Sequence, residues 1–218
     1  MSPWAAPRCL RRIARRGGAR LGALPIVFLC LTGPAWTEEG WQERVNAEGL
    51  RVETRAVSGS EFKAFRASVV VPATRAAVRA RLQAVDRYPD WFPDTPEAKV
   101  LEVFEEGGWA SYVRTSLPWP LKDRDAVYVS RLTELEDRDR IDVDTDPELV
   151  PERGNAVRIR EAKGYWELRD VEGGTLVYWE FHLEPGGKVP SGLANARVVA
   201  TPRGALEGLR AFFTVDSR

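Results

Sequence analysis

The sequence predicts an α+β fold in which one curved antiparallel sheet wraps around a long C-terminal helix. Three observations carry this. Between residues 50 and 183 most apolar residues alternate with polar ones, the period of a half-buried strand. Gly and Pro turns separate the runs after Lys99, so neighbouring strands are expected to pair antiparallel. From Ser191 to about Phe213 the apolar period lengthens to that of a helix, with Leu193, Val198, Leu206, Leu209 and Phe213 on one stripe. A wide sheet and a single long helix bury both kinds of stripe when the sheet curves around the helix.

Taken in order, Glu38–Ala47 places Trp41 and Val45 four apart, which predicts a short helix. Leu50–Val57 alternates as a strand. Ser58-Gly59-Ser60 turns into a partner strand over Phe62–Val71, with Phe65, Ala67, Val69 and Val71 on one face. Pro72 ends that strand, and Thr74 caps a helix running to about Val85 with Val78 and Leu82 inward. The following Asp86–Pro96 segment carries Tyr88, Trp91 and Phe92, too apolar to face water, and is expected to fold back over the core. Lys99–Phe104, Trp109–Thr115, Asp125–Leu132 and Arg140–Asp144 read as successive strands, and Asp146–Asn155 as an irregular loop. Strands resume around Val157 and Ile159, at Gly164–Asp170 and at Thr175–Leu183, making six or seven antiparallel strands in this run. In the C-terminal helix, Pro202 and Gly204 predict a kink or break.

The first 35 residues read as a targeting segment rather than as part of the fold. Six arginines between Arg8 and Arg20 precede an apolar stretch, Leu21–Leu31, too short to span a bilayer, and Gly33-Pro34-Ala35 supplies small residues for cleavage. This pattern predicts a signal peptide over 1–35, a single domain over 36–218, and a periplasmic or secreted protein. The 32 basic and 32 acidic side chains cancel, but six of the basic ones lie in the leading segment, so the remainder carries a net charge near −6. An acidic, mixed surface excludes a nucleic-acid footprint and a polybasic membrane patch. Both cysteines, Cys9 and Cys30, leave with the signal, and one histidine, His182, remains. Disulfides, thiol catalysis, thiolate metal sites and most histidine-based metal sites are thereby excluded, and no cofactor is expected. No serine in a nucleophile elbow and no Gly-rich phosphate loop occurs, so no catalytic residue is assigned.

One stretch carries more information than its composition. Pro118-Trp119-Pro120-Leu121-Lys122-Asp123-Arg124-Asp125 forms a proline-bracketed turn followed by four alternating charges, and the run PWPLKDRDAVYV resembles the signature of START domains, the lipid-transfer domains related to steroidogenic acute regulatory protein. The end of the chain is also similar to that family: a strand over Thr175–Leu183, then Pro185-Gly186-Gly187-Lys188-Val189-Pro190, then a helix with Asn195, Pro202 and Leu209-Arg210. The resemblance, over roughly Trp41–Phe213, implies the helix-grip fold shared with Bet v 1-like proteins. It also implies an elongated apolar cavity for one lipid, closed by loops beside the last helix. Val189–Leu193 and Leu149–Asn155 are the gate loops by position in the family pattern.

Candidate ligand-contacting residues follow. As core, the tryptophans need no function; as a set, aromatics with polar handles suit a cavity for a large apolar molecule. With the resemblance, Trp91, Phe92, Trp119, Trp179 and Phe181 become candidate lining, joined by Tyr112, Trp166 and the helix residues Leu193 and Val198. Arg114 is solvated if it points outward, and an anchor for a ligand hydroxyl or headgroup if it points inward. In sterol-carrying relatives a cavity acid and arginine do that work; here Ser130 stands at the arginine's position and Arg131 one place later. Asp123, Arg124 and Asp125 read as a charged structural clamp, and His182 as a surface imidazole. The expected function is binding, and transfer, of a single lipid or other hydrophobic molecule by a monomer, with transient membrane contact. The alternative is a cyclase/aromatase- or hydrolase-like enzyme of the same fold using Arg114, Glu180 or His182.

Overall fold

Alternation becomes a sheet through register, and here nine strands pair in one continuous ladder, with register shifts at Glu43–Val45 in the first pair and at Val100–Glu102 in the last. In the computed structural model residues 40–215 are described; the segment 1–35, expected to be a signal peptide and holding both cysteines, lies outside the described residues. The strands are β1 Gln42–Ala47, β2 Leu50–Arg55, β3 Ala64–Val71, β4 Glu97–Val103, β5 Gly108–Thr115, β6 Asp123–Glu134, β7 Arg138–Thr145, β8 Ala156–Arg158, β9 Glu161–Val171 and β10 Gly174–Glu184. Their order across one curved sheet is β1-β2-β3-β10-β9-β7-β6-β5-β4, each pair antiparallel. The short β8 departs from the expected pattern by running parallel to the start of β6.

The N-terminal helix expected from Trp41 and Val45 is a strand instead. A two-residue turn at Glu48-Gly49, both with positive φ (53° and 74°), joins β1 to β2 in the geometry that favours a tight hairpin. Trp41 then lies against two guanidiniums, Arg55 at 4.6 Å and Arg66 at 4.8 Å, an arrangement a helix would not supply.

Helix α1, Arg75–Gln83, starts as expected: Thr74 Oγ1 accepts a hydrogen bond from the Ala77 N–H at 3.3 Å. Its buried Val78 and Leu82 face the core. Arg75 and Arg79 reach buried Asp139 on β7, at 3.8 and 3.1 Å, tying this helix to the sheet. Helix α2, Ser191–Val215, runs without the expected break through Pro202. Gly204 and Gly208, one helical turn apart, mark a close approach instead. A Cβ on Gly208 would stand 2.6 Å from the Trp91 carbonyl oxygen, and one on Gly204 would stand 2.8 Å from Pro93 Cγ. The absent side chains let the 91–93 segment lie directly on the helix. Beneath, Leu206 and Leu209 join Phe65, Val69, Val71, Leu168 and Val177 in the core.

Candidate functional site

The first half of α2 and the concave face of the sheet enclose a cavity of about 200 Å³. The segment before β4 closes one side with Tyr88 and Phe92. The sheet wall is aromatic: Trp179 stacks on Trp166 at 4.2 Å and 9°, receives the Phe65 edge at 4.6 Å, and meets Phe92 and Phe181 at 5.7 and 6.0 Å. These residues stand on one face because alternate positions of β3, β9 and β10 point inward, in direct register: Phe65 opposite Phe181, and Trp166 opposite Trp179. Leu193, Val198 and Thr201 of α2 form the opposite wall.

Six of the ten candidate residues therefore line the cavity: Phe92, Trp166, Trp179, Phe181, Leu193 and Val198. Four do not. Trp91 packs beneath α2 with Tyr88 and Phe92 at 5.3 Å. Tyr112 and Arg114 belong to the other parity of β5, where Trp109, Ser111, Val113 and Thr115 point into the cavity. Tyr112 is buried on the convex side under the Arg153 guanidinium at 4.3 Å, and desolvation raises its phenol pKa above the ordinary value. Arg114 is paired with Asp123 at 2.7 Å on that same side and stays partly in contact with solvent, so it points outward and not into the cavity. Trp119 is 92% exposed at the tip of its turn.

The same parity weakens the catalytic alternative. Glu180 faces away from the cavity, accepting hydrogen bonds from Tyr178 at 2.8 Å and Tyr165 at 3.3 Å and pairing with Arg55 at 3.5 Å. With Arg114 also outside, His182 alone of the three proposed groups reaches the lining, at the rim, where Nε2 lies 3.3 Å from the Phe62 carbonyl. Among the described residues no three metal-ligating side chains cluster, and no helix is long and apolar enough to cross a membrane.

The charged run has a definite architecture. Arg124, only 4% exposed, donates from Nε to the Pro185 carbonyl at 2.6 Å, from Nη2 to the Gly186 carbonyl at 3.0 Å and from Nη1 to the Lys122 carbonyl at 2.5 Å. One guanidinium thus joins the 116–122 turn to the loop that leads into α2. It also forms part of the cavity wall, a position the clamp reading left out. Burial lowers its pKa, against the opposing effect of Asp123. Asp125 points the other way and pairs with Arg158 at 3.0 Å, both side chains 1% exposed. Arg158 then donates to the carbonyls of Pro147, Val150 and Pro151 at 2.5, 3.0 and 3.3 Å. That clamp holds the 146–155 loop on the convex face, and no residue of the expected gate 149–155 lines the cavity. Val189 and Leu193, from the other expected gate, do line it.

Sequence reasoning missed Tyr128 and Ser111, which also line the cavity; so does Ser130, which it had placed only at the position of the relatives' cavity arginine. Alternation along Trp109–Thr115 and Ala126–Leu132 supplied the two faces but no means of choosing between them.

This architecture is found in other proteins. Residues 30–213 match the START domain family. The chain is 31% identical over 197 residues to an uncharacterized protein of Pseudomonas aeruginosa, covering 89% of this chain and 96% of that one. Against phosphatidylcholine transfer protein of Rattus norvegicus it is 25% identical over 183 residues, covering 76% and 79%. A crystal structure of a STAR-related lipid transfer protein from Xanthomonas axonopodis superposes with a TM-score of 0.75 at 34% identity, covering 81% of this chain and 99% of that chain. With its sheet gripping α2 and a match along most of its length, the chain belongs to the START domain family.

Proposed function

We propose that this protein binds one apolar lipid molecule in the cavity under α2 and carries it between membranes, acting as an exported monomer. The observation that carries the reading is the wall itself: Phe65, Phe92, Trp166, Trp179 and Phe181 on one side and Leu193 and Val198 on the other present an apolar lining. The likeness to proteins named for lipid and phosphatidylcholine transfer supports the same chemistry. Binding is driven by desolvation, about 0.8 kcal/mol for each methylene taken from water. At about 200 Å³ the cavity is below the roughly 300–1,000 Å³ common for small-molecule sites, so a large lipid requires the wall to move. The movable part is the rim between the 116–122 turn and the 185–193 loop, held together by Arg124. Trp119, exposed on that turn and followed by Lys122, is the side chain placed to touch a bilayer while the rim is open.

Binding without turnover is favoured because two of the three candidate catalytic groups face away from the cavity. Native mass spectrometry of protein purified from membranes tests the proposal. The expected result is a one-to-one adduct with an apolar molecule; repeated absence of any adduct, together with no uptake of a fluorescent fatty acid, overturns it.

A further inference from the structure

The charged groups of the cavity gather at one end and share one sign. Lys63, Arg124, His182 and Arg197 line it, and among the described residues no carboxylate does, although the chain beyond residue 35 is acidic. All four stand about the first two turns of α2. The Lys63 N–H donates to Asn195 Oδ1 at 3.0 Å, and the Phe62 carbonyl lies 3.3 Å from His182 Nε2. Two residues further along α2, Arg197 donates to the Ser116 carbonyl at 2.7 Å. Arg124 joins the same 116–122 turn to Pro185 and Gly186, just ahead of the helix. The helix adds the positive end of its macrodipole there.

These charges are unequally compensated. Arg197 pairs with Asp94 at 3.0 Å, and His182 Nε2 lies 3.6 Å from Glu184. Arg124 is buried, yet its hydrogen bonds go to neutral backbone carbonyls, and its neighbour Asp123 is engaged by Arg114 at 2.7 Å. The Lys63 ammonium, half-buried in the wall, makes no hydrogen bond or ion pair to a described residue. Cations withdrawn from water are ordinarily paired, and a low-dielectric cleft lined by one sign of charge focuses its field on what enters. Further in, the aromatic wall of Phe65, Trp166 and Trp179 gives a hydrocarbon chain contact and an ionised group no counter-charge. A guest with an anion at the mouth and hydrocarbon beyond it matches both halves.

We propose that this mouth, with Lys63 in contact and Arg124 and Arg197 adding their charge, receives the anionic oxygen headgroup, carboxylate or phosphate, of an otherwise apolar ligand. The assignment rests on the lipid-binding reading above and adds to it the charge and the orientation of the guest. The test titrates dodecanoate, dodecyl phosphate, 1-dodecanol and dodecyltrimethylammonium against Nile red bound to the delipidated full chain at neutral pH, each below its micelle-forming concentration. The wild-type protein is expected to bind at least one anion about tenfold more tightly than the alcohol, the scale of one charge-assisted hydrogen bond, and the cation more weakly than the alcohol. The tighter of the two anions tells carboxylate from phosphate. Lys63→Met is expected to shrink the anion-to-alcohol ratio below about threefold, and Lys63→Glu to abolish it, with alcohol affinity unchanged in both. Thermal melts show that the variants fold, and the wild-type order itself requires no variant. Equal binding of anions and alcohol, or a preference for the cation, overturns the headgroup site while leaving lipid binding in place. An anion preference that persists in folded Lys63→Met does the same. If no compound displaces Nile red, the binding reading falls and the site with it.

Discussion

Replacing Asp125 by leucine strands the Arg158 charge inside the protein. Both side chains are 1% exposed, and Asp125 Oδ2 accepts from Arg158 Nη2 at 3.0 Å. Breaking one partner of a buried ion pair costs about 3–5 kcal/mol, mainly because the remaining ion has lost its compensation. In a domain of this size each kcal/mol lowers Tm by about 2–4 °C, so the expected fall is roughly 6–20 °C. Adding Arg158→Met to the same chain removes the stranded charge. The carbonyls of Pro147, Val150 and Pro151 then lose their donor, but Pro151 and its neighbours at 152–155 are exposed and water is close at hand. The double variant is therefore expected to be no less stable than Asp125→Leu alone, giving strong coupling in a double-mutant cycle. Urea unfolding followed by circular dichroism measures all four proteins. A loss below about 1 kcal/mol in Asp125→Leu, or simple additivity in the cycle, refutes the view that this pair fixes the 146–155 loop.

Three further outcomes are expected. Gly208→Ala raises intrinsic helix propensity, yet it should destabilise by about 1–3 kcal/mol in urea unfolding, because the new methyl meets the Trp91 carbonyl at 2.6 Å and the backbone must yield. Glu53 is hydrogen-bonded and paired to Arg66, which holds its carboxyl below the ordinary 4.5. A depressed carboxyl stabilises the fold above that value and loses the contribution as pH falls through its folded value, so stability measured across the acid range should fall less steeply in Glu53→Gln than in the wild type. Trp119→Ala should leave Tm within about 1 °C, since the side chain is 92% exposed, while reducing co-sedimentation with phospholipid vesicles.

The sheet was legible where one face is buried by the core and the other faces out. β3 and β10 show this, their inward Phe65, Val69, Val177, Trp179 and Phe181 alternating without a fault. β5 was different because both of its faces are withdrawn from bulk water, the concave one lining the cavity and the convex one lying under Arg153 of the 146–155 loop. A strand buried on both faces does not mark its inward side by polarity. The large Tyr112 was therefore assigned to the cavity, and the small Ser111 that occupies it was overlooked. Arg114 followed the same error of parity, since its Asp123 partner lies nine residues away across the turn. Trp41 and Val45 have helical spacing by coincidence; the tight Glu48-Gly49 turn and the two arginines against the indole decide for a strand. The charged run was legible as a clamp, but its targets, the Pro185 and Gly186 carbonyls and Arg158, lie 33–62 residues away and no local pattern names them.

The central claim, one apolar guest beneath α2, is tested most directly by titrating the delipidated protein with a fluorescent fatty acid. Wild-type and Val113→Trp proteins are compared. Val113 points into the cavity from the middle of β5, so an indole there takes up space the guest requires. Saturation at one molecule per chain in the wild type, lost in a Val113→Trp protein that still melts cooperatively, is the expected result. Uptake that the indole leaves unchanged, or that never saturates, contradicts it.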